Sequence, residues 1–209
     1  MAKICILNQK KVLIVDTTVS QKARYIVPVM KPTQKYITTF EDIDIAVGFK
    51  SFEEILEYIC EEKLPYDMVL LDIDSQWAYK SFKINYLDEH CFVTGFDLYS
   101  LRKGIGVLQA FTSPTKITKV YFTKDMLPEE DEYLSRMTEK LKVIWEKEII
   151  YFPFERGDRS VLNINQRFAK IKIRGLSKTY LYGIMFIAEQ NLGFHENEIK
   201  KAIKIMEKA

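Results

Sequence analysis

The feature that most constrains the fold of this chain is a series of short apolar segments separated by longer amphipathic ones. Most of them are continuous apolar runs, which are typical of strands buried on both faces. The segments are KVLIVD (11–16), DIDIAVGF (42–49), YDMVLLDID (66–74), ITKVYFT (117–123) and EIIYFPF (148–154). Strands that alternate with helices connect through right-handed crossovers. The pattern therefore predicts an α/β protein with a doubly wound, five-stranded parallel sheet and helices on both faces.

The segments between the strands carry recognisable helix signals. Ser51 can cap a helix that has Glu54 in its first turn, which is the spacing of a capping box. The apolar spacing predicts a second helix over 96–111 and a third over 128–144. The polar stretch 31–42 is predicted to be a loop.

The C-terminal part of the chain has a different charge balance from the rest. Residues 155–209 carry a net charge of +5, which leaves −3 for residues 1–154. We expect residues 1–174 to form the α/β domain and residues 175–209 to form a helical extension. The extension would serve contacts with a protein partner or with a second copy of the chain, as a homodimer. The alternatives are binding of nucleic acid through its basic helices and a purely structural extension that packs against the domain.

Composition excludes several classes of protein. Apolar residues make up 47% and charged residues 29% of the chain, and the net charge is only +2. No run approaches the roughly 18 apolar residues that span a bilayer, and the first residues lack the pattern of a signal peptide. Cys5, Cys60 and Cys91 are odd in number and widely spaced, which favours reduced thiols. We therefore expect a cytoplasmic protein without a membrane span.

Polar side chains lie at the carboxyl ends of three predicted strands. They are Asp16, Asp72, Asp74 and Thr123. In open α/β sheets, ligands bind outside the carboxyl ends of the strands. The sequence therefore predicts that these four residues share one site.

Taken in order, these segments resemble the receiver domain of bacterial two-component response regulators, which has a flavodoxin-like fold. KVLIVDT resembles the first receiver strand with its acidic end, and YDMVLLDID resembles the third strand with the phospho-accepting Asp. GFDLYSLR is similar to the start of the third helix, VYFTK to the fourth strand with its hydroxyl residue, and YFPF to the fifth strand. The similarity covers about residues 11–174 and implies a signalling role through protein–protein contacts.

The resemblance also implies roles for individual residues. Asp72 would be the phosphoryl acceptor, Asp16 a ligand of Mg²⁺, and Thr123 the hydroxyl that contacts the phosphoryl group. Asp74 would supply a second acid for the metal, and Lys124 is the candidate for a missing cation. A carboxylate attacks phosphorus in such a site, and Mg²⁺ with a lysine neutralises the charge on the oxygens.

Several positions depart from the receiver pattern. Thr17 stands where the family has a second acid, Phe152 stands where it has a lysine, and Ile149 falls near its aromatic switch position. An insertion at 75–94 replaces a tight turn. Its aromatic residues either pack in the core or form a contact surface; they are Trp77, Tyr79, Phe82, Tyr86 and Phe92. These departures predict a degenerate pseudo-receiver that is not an enzyme in its own right.

A second resemblance points to enzymatic chemistry instead. VLLDIDS is also similar to the first motif of haloacid-dehalogenase-like phosphatases, and VYFT to their second motif. In that interpretation Asp72 is the nucleophile and Asp74 the acid/base of a Mg²⁺-dependent phosphatase or phosphotransferase. That motif normally lies on the first strand, whereas two predicted strands precede it here.

Overall fold

The computed structural model describes residues 1–26, 34–123, 128–153 and 155–208. Within these ranges the chain is an α/β protein with seven strands and eight α-helices. The strands are β1 (Val12–Asp16), β2 (Tyr36–Phe40), β3 (Ile43–Val47), β4 (Met68–Asp72), β5 (Cys91–Thr94), β6 (Thr115–Tyr121) and β7 (Val143–Tyr151). The helices are α1 (Ala2–Leu7), α2 (Phe52–Ile59), α3 (Gln76–Ser81), α4 (Leu98–Leu108), α5 (Pro128–Thr138), α6 (Asp158–Phe168), α7 (Lys178–Gln190) and α8 (Glu196–Lys208).

The strands form two sheets rather than one. The first has the order β2-β3-β1-β4, in which β1 runs parallel to β3 and β4 while β2 runs antiparallel to β3. The second has the order β5-β6-β7 and is entirely parallel. No hydrogen-bonded ladder joins β4 to β5 in the described part of the chain. The α/β class is confirmed, but the expected single sheet of five parallel strands is replaced by a mixed sheet and a parallel sheet.

Two of the strands lie where the sequence predicted none. β2 occupies much of the stretch 31–42, of which residues 31–33 lie outside the described ranges. A turn joins β2 to β3, and its residues Glu41 and Asp42 have φ angles of +46° and +67°. Such turns usually contain Gly or Asn, so no hairpin is predicted from these residues. β5 lies in the insertion 75–94, which also forms α3.

The helix predictions are confirmed in position more than in extent. Ser51 Oγ accepts a hydrogen bond from the Glu54 N–H at 3.3 Å, as expected of a helix cap. The Glu54 carboxylate accepts from the Lys50 N–H at 3.0 Å rather than from Ser51. The predicted helix over 128–144 ends at Thr138, because the following residues pair with β6 as part of β7.

β1 lies between two hydrophobic cores. Leu13 and Val15 point into the first, which also contains buried residues of the second sheet and of three helices: Ile55, Phe92, Leu101, Ile117, Tyr121 and Leu134. Val12 points into the second, together with Ile4, Ile43, Ile45, Val47, Ala188, Ile199 and Met206. The alternation of side chains along one strand thus supplies both cores.

The C-terminal helices belong to the second core. Ile199, Ala202 and Met206 of α8 are buried there. α7 approaches the end of β7 so closely that a Cβ at Gly183 would lie 2.8 Å from the Tyr151 carbonyl oxygen. Residues 175–208 therefore cover one side of the fold rather than project from it.

The two glycines of α4 have different surroundings, which allows a matched test of how α4 packs. A Cβ at Gly104 would lie 2.5 Å from a ring carbon of Phe92, whereas a Cβ at Gly106 would meet nothing within 4 Å. We expect Gly104→Ala to lower the free energy of unfolding by about 1–3 kcal/mol, because the ring must shift. Gly106→Ala should raise it by about 0.5–1 kcal/mol, because alanine favours the helix. Urea unfolding measures both, and equal effects would contradict the close packing of α4 on β5.

Candidate functional site

The candidate site begins where β1 and β4 end side by side. Asp16 and Asp72 are register partners on these parallel strands. Thr17 joins the two strand ends, since its N–H and its Oγ1 both donate to the Asp72 carbonyl oxygen, at 3.1 and 2.7 Å. The residue that replaces the second acid of the receiver pattern therefore fixes the backbone of the predicted acceptor.

Asp16 is buried, and its carboxylate organises the loop that follows β1. Oδ1 accepts from the Thr18 N–H at 3.0 Å and from Thr18 Oγ1 at 2.6 Å. Oδ2 accepts from the Ala23 N–H at 2.9 Å. Both oxygens of Asp16 are thus engaged by the protein itself.

Asp74 and Lys103 form an ion pair at the same edge. Oδ1 of Asp74 accepts from the Val19 N–H at 2.9 Å, and Oδ2 pairs with the Lys103 ammonium group. Lys103 is on α4 and is not among the site residues predicted from the sequence. No local motif points to it, because a helix from a distant part of the chain brings it to the strand ends.

Asp72 has surroundings unlike those of the other two acids. Its side chain is exposed, and no hydrogen bond or ion pair joins its carboxylate to the described residues. Partial desolvation at the strand end raises the pKa of Asp72, and the nearby charges of Asp16 and Asp74 raise it further. Lys103 acts in the opposite direction and lowers this pKa. Asp72 is therefore an exposed carboxylate near two other negative charges, Asp16 and Asp74, and near one positive charge, Lys103.

The strand pairing in the described part of the chain does not place Thr123 next to Asp72. Thr123 lies just beyond the end of β6, whose neighbours are β5 and β7 rather than β4. Lys124 lies outside the described residues. Both assignments stay predictions, and Lys103 is the cation near Asp72 in the described part of the chain.

The carboxylate oxygens that were expected to bind Mg²⁺ already have hydrogen-bond or ion-pair partners within the protein. Mg²⁺ requires near-octahedral oxygen coordination, but Asp16 and Asp74 direct their oxygens to backbone N–H groups, to Thr18 and to Lys103. Among the described residues, no group of three or more His, Cys, Asp or Glu side chains is arranged to hold a metal ion. Asp16 and Asp74 as arranged do not fit a magnesium site, and the same contacts occupy the Asp74 oxygens that a phosphatase would need as acid/base.

Phe152, which replaces the receiver lysine, is a packing residue. It is 4% exposed and stacks on Phe122, with ring centroids 4.9 Å apart and planes at 10°. Tyr180 of α7 contacts it edge-on, with centroids 5.2 Å apart. The position that carries charge in the family pattern therefore helps to dock α7 here.

The aromatic residues of the insertion divide between core and surface. Tyr79, Phe82 and Phe92 are buried in the first core. Trp77 is 51% exposed and Tyr86 is 85% exposed. Trp77 lies in the first turn of α3, three residues after Asp74, so an exposed indole lies close in sequence to the carboxylates.

No protein-family model matches this chain, and no curated protein shows significant sequence similarity to it. None of the helices in the described ranges is long and apolar enough to cross a membrane. The function is therefore inferred from the site itself.

The raised pKa of Asp72 predicts that this residue destabilises the folded protein at neutral pH. The folded state holds the Asp72 proton more tightly than the unfolded chain does, so stability falls as pH rises from below about 3.9 through the raised folded pKa. We expect Asp72→Asn to be more stable than wild type at pH 7 and to lose this advantage at about pH 3. Asp74→Asn should instead be less stable at pH 7, because it loses the ion pair with Lys103. Urea unfolding across this pH range tests both variants, and a stabilised Asp74→Asn would contradict the assignment.

Lys103 should control the ionisation of Asp72. Because Lys103 lowers this pKa, Lys103→Met should raise the pKa of Asp72, and Lys103→Arg should raise it less. Carboxyl ¹³C NMR titration measures the change. Lys63→Met, which removes an exposed lysine from a loop, is the control. An unchanged titration of Asp72 in Lys103→Met would mean that the ammonium group does not act on it in solution.

Proposed function

We propose that this chain is a receiver-like regulatory protein in which Asp72 accepts a phosphoryl group and Lys103 takes the place of the missing receiver lysine. In this proposal β3, β1 and β4 correspond to one half of a flavodoxin-like sheet, and β6 and β7 correspond to the other half. β2 and β5 are additions to that arrangement. The output is a change in contacts with a protein partner.

The observation that carries the proposal is the state of the Asp72 carboxylate. It lies at the carboxyl end of a parallel strand, its backbone is fixed by Thr17, and its oxygens are not engaged by the described residues. An exposed carboxylate is a competent nucleophile toward phosphorus in an acyl phosphate. Attack forms an aspartyl P–O bond and breaks the P–O bond to the leaving carboxylate.

Lys103 supplies the positive charge that this step requires. A lysine ammonium has three donors, so Lys103 can retain Asp74 and also donate to a phosphoryl oxygen. Removing one such donor from a catalytic site typically lowers a rate by about 10²–10³. The oxygens of Asp16 and Asp74 are already hydrogen-bonded or ion-paired, so they do not supply the metal ligands of the receiver pattern. The site is degenerate in this respect.

The surroundings of Asp72 support output through a protein contact. Val19, which donates its N–H to Asp74, is 79% exposed, and Trp77 is 51% exposed. Exposed aromatic residues are enriched in protein interfaces. A phosphoryl group on Asp72 would add negative charge beside these side chains and would change what they bind.

Intact-mass spectrometry after incubation with acetyl phosphate tests the proposal. We expect wild type to gain one phosphoryl group with Mg²⁺ in the buffer, and Asp72→Asn to gain none. Lys103→Met should be modified about 10²-fold more slowly, and Lys103→Arg should retain most of the rate. Asp88→Asn, which removes an exposed acid from a loop, should behave as wild type.

Two outcomes would contradict the proposal. An unmodified wild type would mean that Asp72 lacks acceptor chemistry, and modification of Asp72→Asn would place the phosphoryl group elsewhere. Turnover of a generic phosphate monoester that is lost in both Asp72→Asn and Asp74→Asn would instead favour the phosphatase alternative.

A further inference from the structure

The excess positive charge of the C-terminal part of the chain is concentrated around α6. Residues 155–178 hold seven Lys and Arg residues and two acids, a net charge of +5, whereas residues 179–209 are neutral. Five of the seven basic side chains are exposed, and neither a hydrogen bond nor an ion pair joins them to the described residues; they are Arg156, Arg167, Lys170, Arg174 and Lys178. These five cations are available to an anionic partner.

The same segment exposes two large apolar side chains. Ile164 is 51% exposed and Phe168 is 69% exposed, and neither packs into a hydrophobic core of the described chain. They are four residues apart on α6, so they are neighbours on the helix surface and form one apolar patch. Arg167, three residues after Ile164, lies next to this patch. Leu162 lies on another face of α6 and packs against the core that contains Phe152, so the helix is anchored while the patch faces solvent.

Hydrogen bonds hold α6 and the residues that follow it in one arrangement. The buried carboxylate of Asp158 accepts from the Ser177 N–H at 2.6 Å and from Ser177 Oγ at 2.8 Å. Asn165 Nδ2 donates to the Lys172 carbonyl oxygen at 2.6 Å. Because these links tie residues 170–178 to α6, the cations of that segment stay beside the helix that carries the apolar patch. The surface is ordered before any partner binds, which lowers the cost of binding.

A surface that combines cations with exposed apolar side chains fits the chemistry of an anionic membrane. Headgroup phosphates attract Lys and Arg, and apolar side chains enter the layer beneath the headgroups. The long stems of Lys and Arg allow their charges to stay at the headgroups while neighbouring side chains insert. Duplex nucleic acid also offers phosphates, but it has no apolar layer that would bury Ile164 and Phe168 together.

We propose that α6 and residues 170–178 form a peripheral docking surface for anionic lipid. Ile164 and Phe168 insert beneath the headgroups, and the five cations contact the lipid phosphates. Each cation near an anionic membrane strengthens binding by about fivefold, so the attachment is reversible and depends on several residues at once. This surface is independent of the chemistry proposed for Asp72.

The test is co-sedimentation of the full chain with vesicles made of equal amounts of phosphatidylglycerol and phosphatidylcholine. We expect saturable binding that is absent with phosphatidylcholine alone and that weakens about tenfold or more at high salt, because salt screens the cations. Phe168→Trp places a fluorophore in the apolar patch. Its emission should shift to shorter wavelength on the mixed vesicles, and brominated lipid should quench it. Wild type, which contains Trp77 and Trp145, is the control for the fluorescence.

Matched substitutions locate the binding surface. Ile164→Ser and Phe168→Ser remove apolar side chains from the patch, and each should weaken vesicle binding about fivefold or more. Arg167→Gln removes one cation and should weaken it about fivefold. Leu98→Ser and Arg102→Gln make the same kinds of change at exposed positions of α4 and should bind like wild type. Circular dichroism confirms that each variant folds.

Equal binding to vesicles with and without phosphatidylglycerol, or full binding by both Phe168→Ser and Arg167→Gln, would overturn the proposal. Salt-sensitive binding of double-stranded DNA that exceeds vesicle binding and is unchanged in Phe168→Ser would also overturn it, because it would assign the cations to nucleic acid. A dimer that Phe168→Ser dissociates in sedimentation velocity, without any vesicle binding, would instead assign the apolar patch to a second copy of the chain.

Discussion

The structure depends first on the burial of β1 from both sides. β1 pairs with β3 and β4, and its alternate side chains enter two different cores. Both faces of a strand in this position are buried, so its residues are apolar until the strand ends. The polar residues Asp16 and Thr17 therefore come at its end, beside the end of β4. The position of the candidate site is a consequence of how the sheet is covered.

Like charge dominates that site, and the protein offsets most of it locally. The loop after β1 donates hydrogen bonds to Asp16, while Val19 and Lys103 engage Asp74. Asp72 is left with a raised pKa and an exposed carboxylate. A carboxylate with a raised pKa lowers the stability of the folded state at neutral pH, and such groups are concentrated at functional sites. The contrast between two engaged acids and one unengaged acid is the reason for proposing Asp72, rather than Asp16 or Asp74, as the acceptor.

The departures from the receiver pattern have structural explanations. Thr17 links two strand ends, Phe152 packs under α7, and the insertion at 75–94 provides α3 and β5. At each of these positions the side chains serve packing or hydrogen bonding. In the described part of the chain β6 pairs with β5 and β7, and β4 lies at the edge of the other sheet.

The sequence by itself determined the α/β class, most of the helices and the acids at the ends of β1 and β4, because hydrophobic period and capping residues act locally. It could not show the hairpin at Glu41, whose turn lacks glycine. It also could not show the division into two sheets, because strand pairing depends on segments that are far apart in sequence. It also could not show Lys103, which reaches Asp74 only through the packing of α4 on β5. Tertiary structure decided those features because each depends on contacts between parts of the chain that are far apart in sequence.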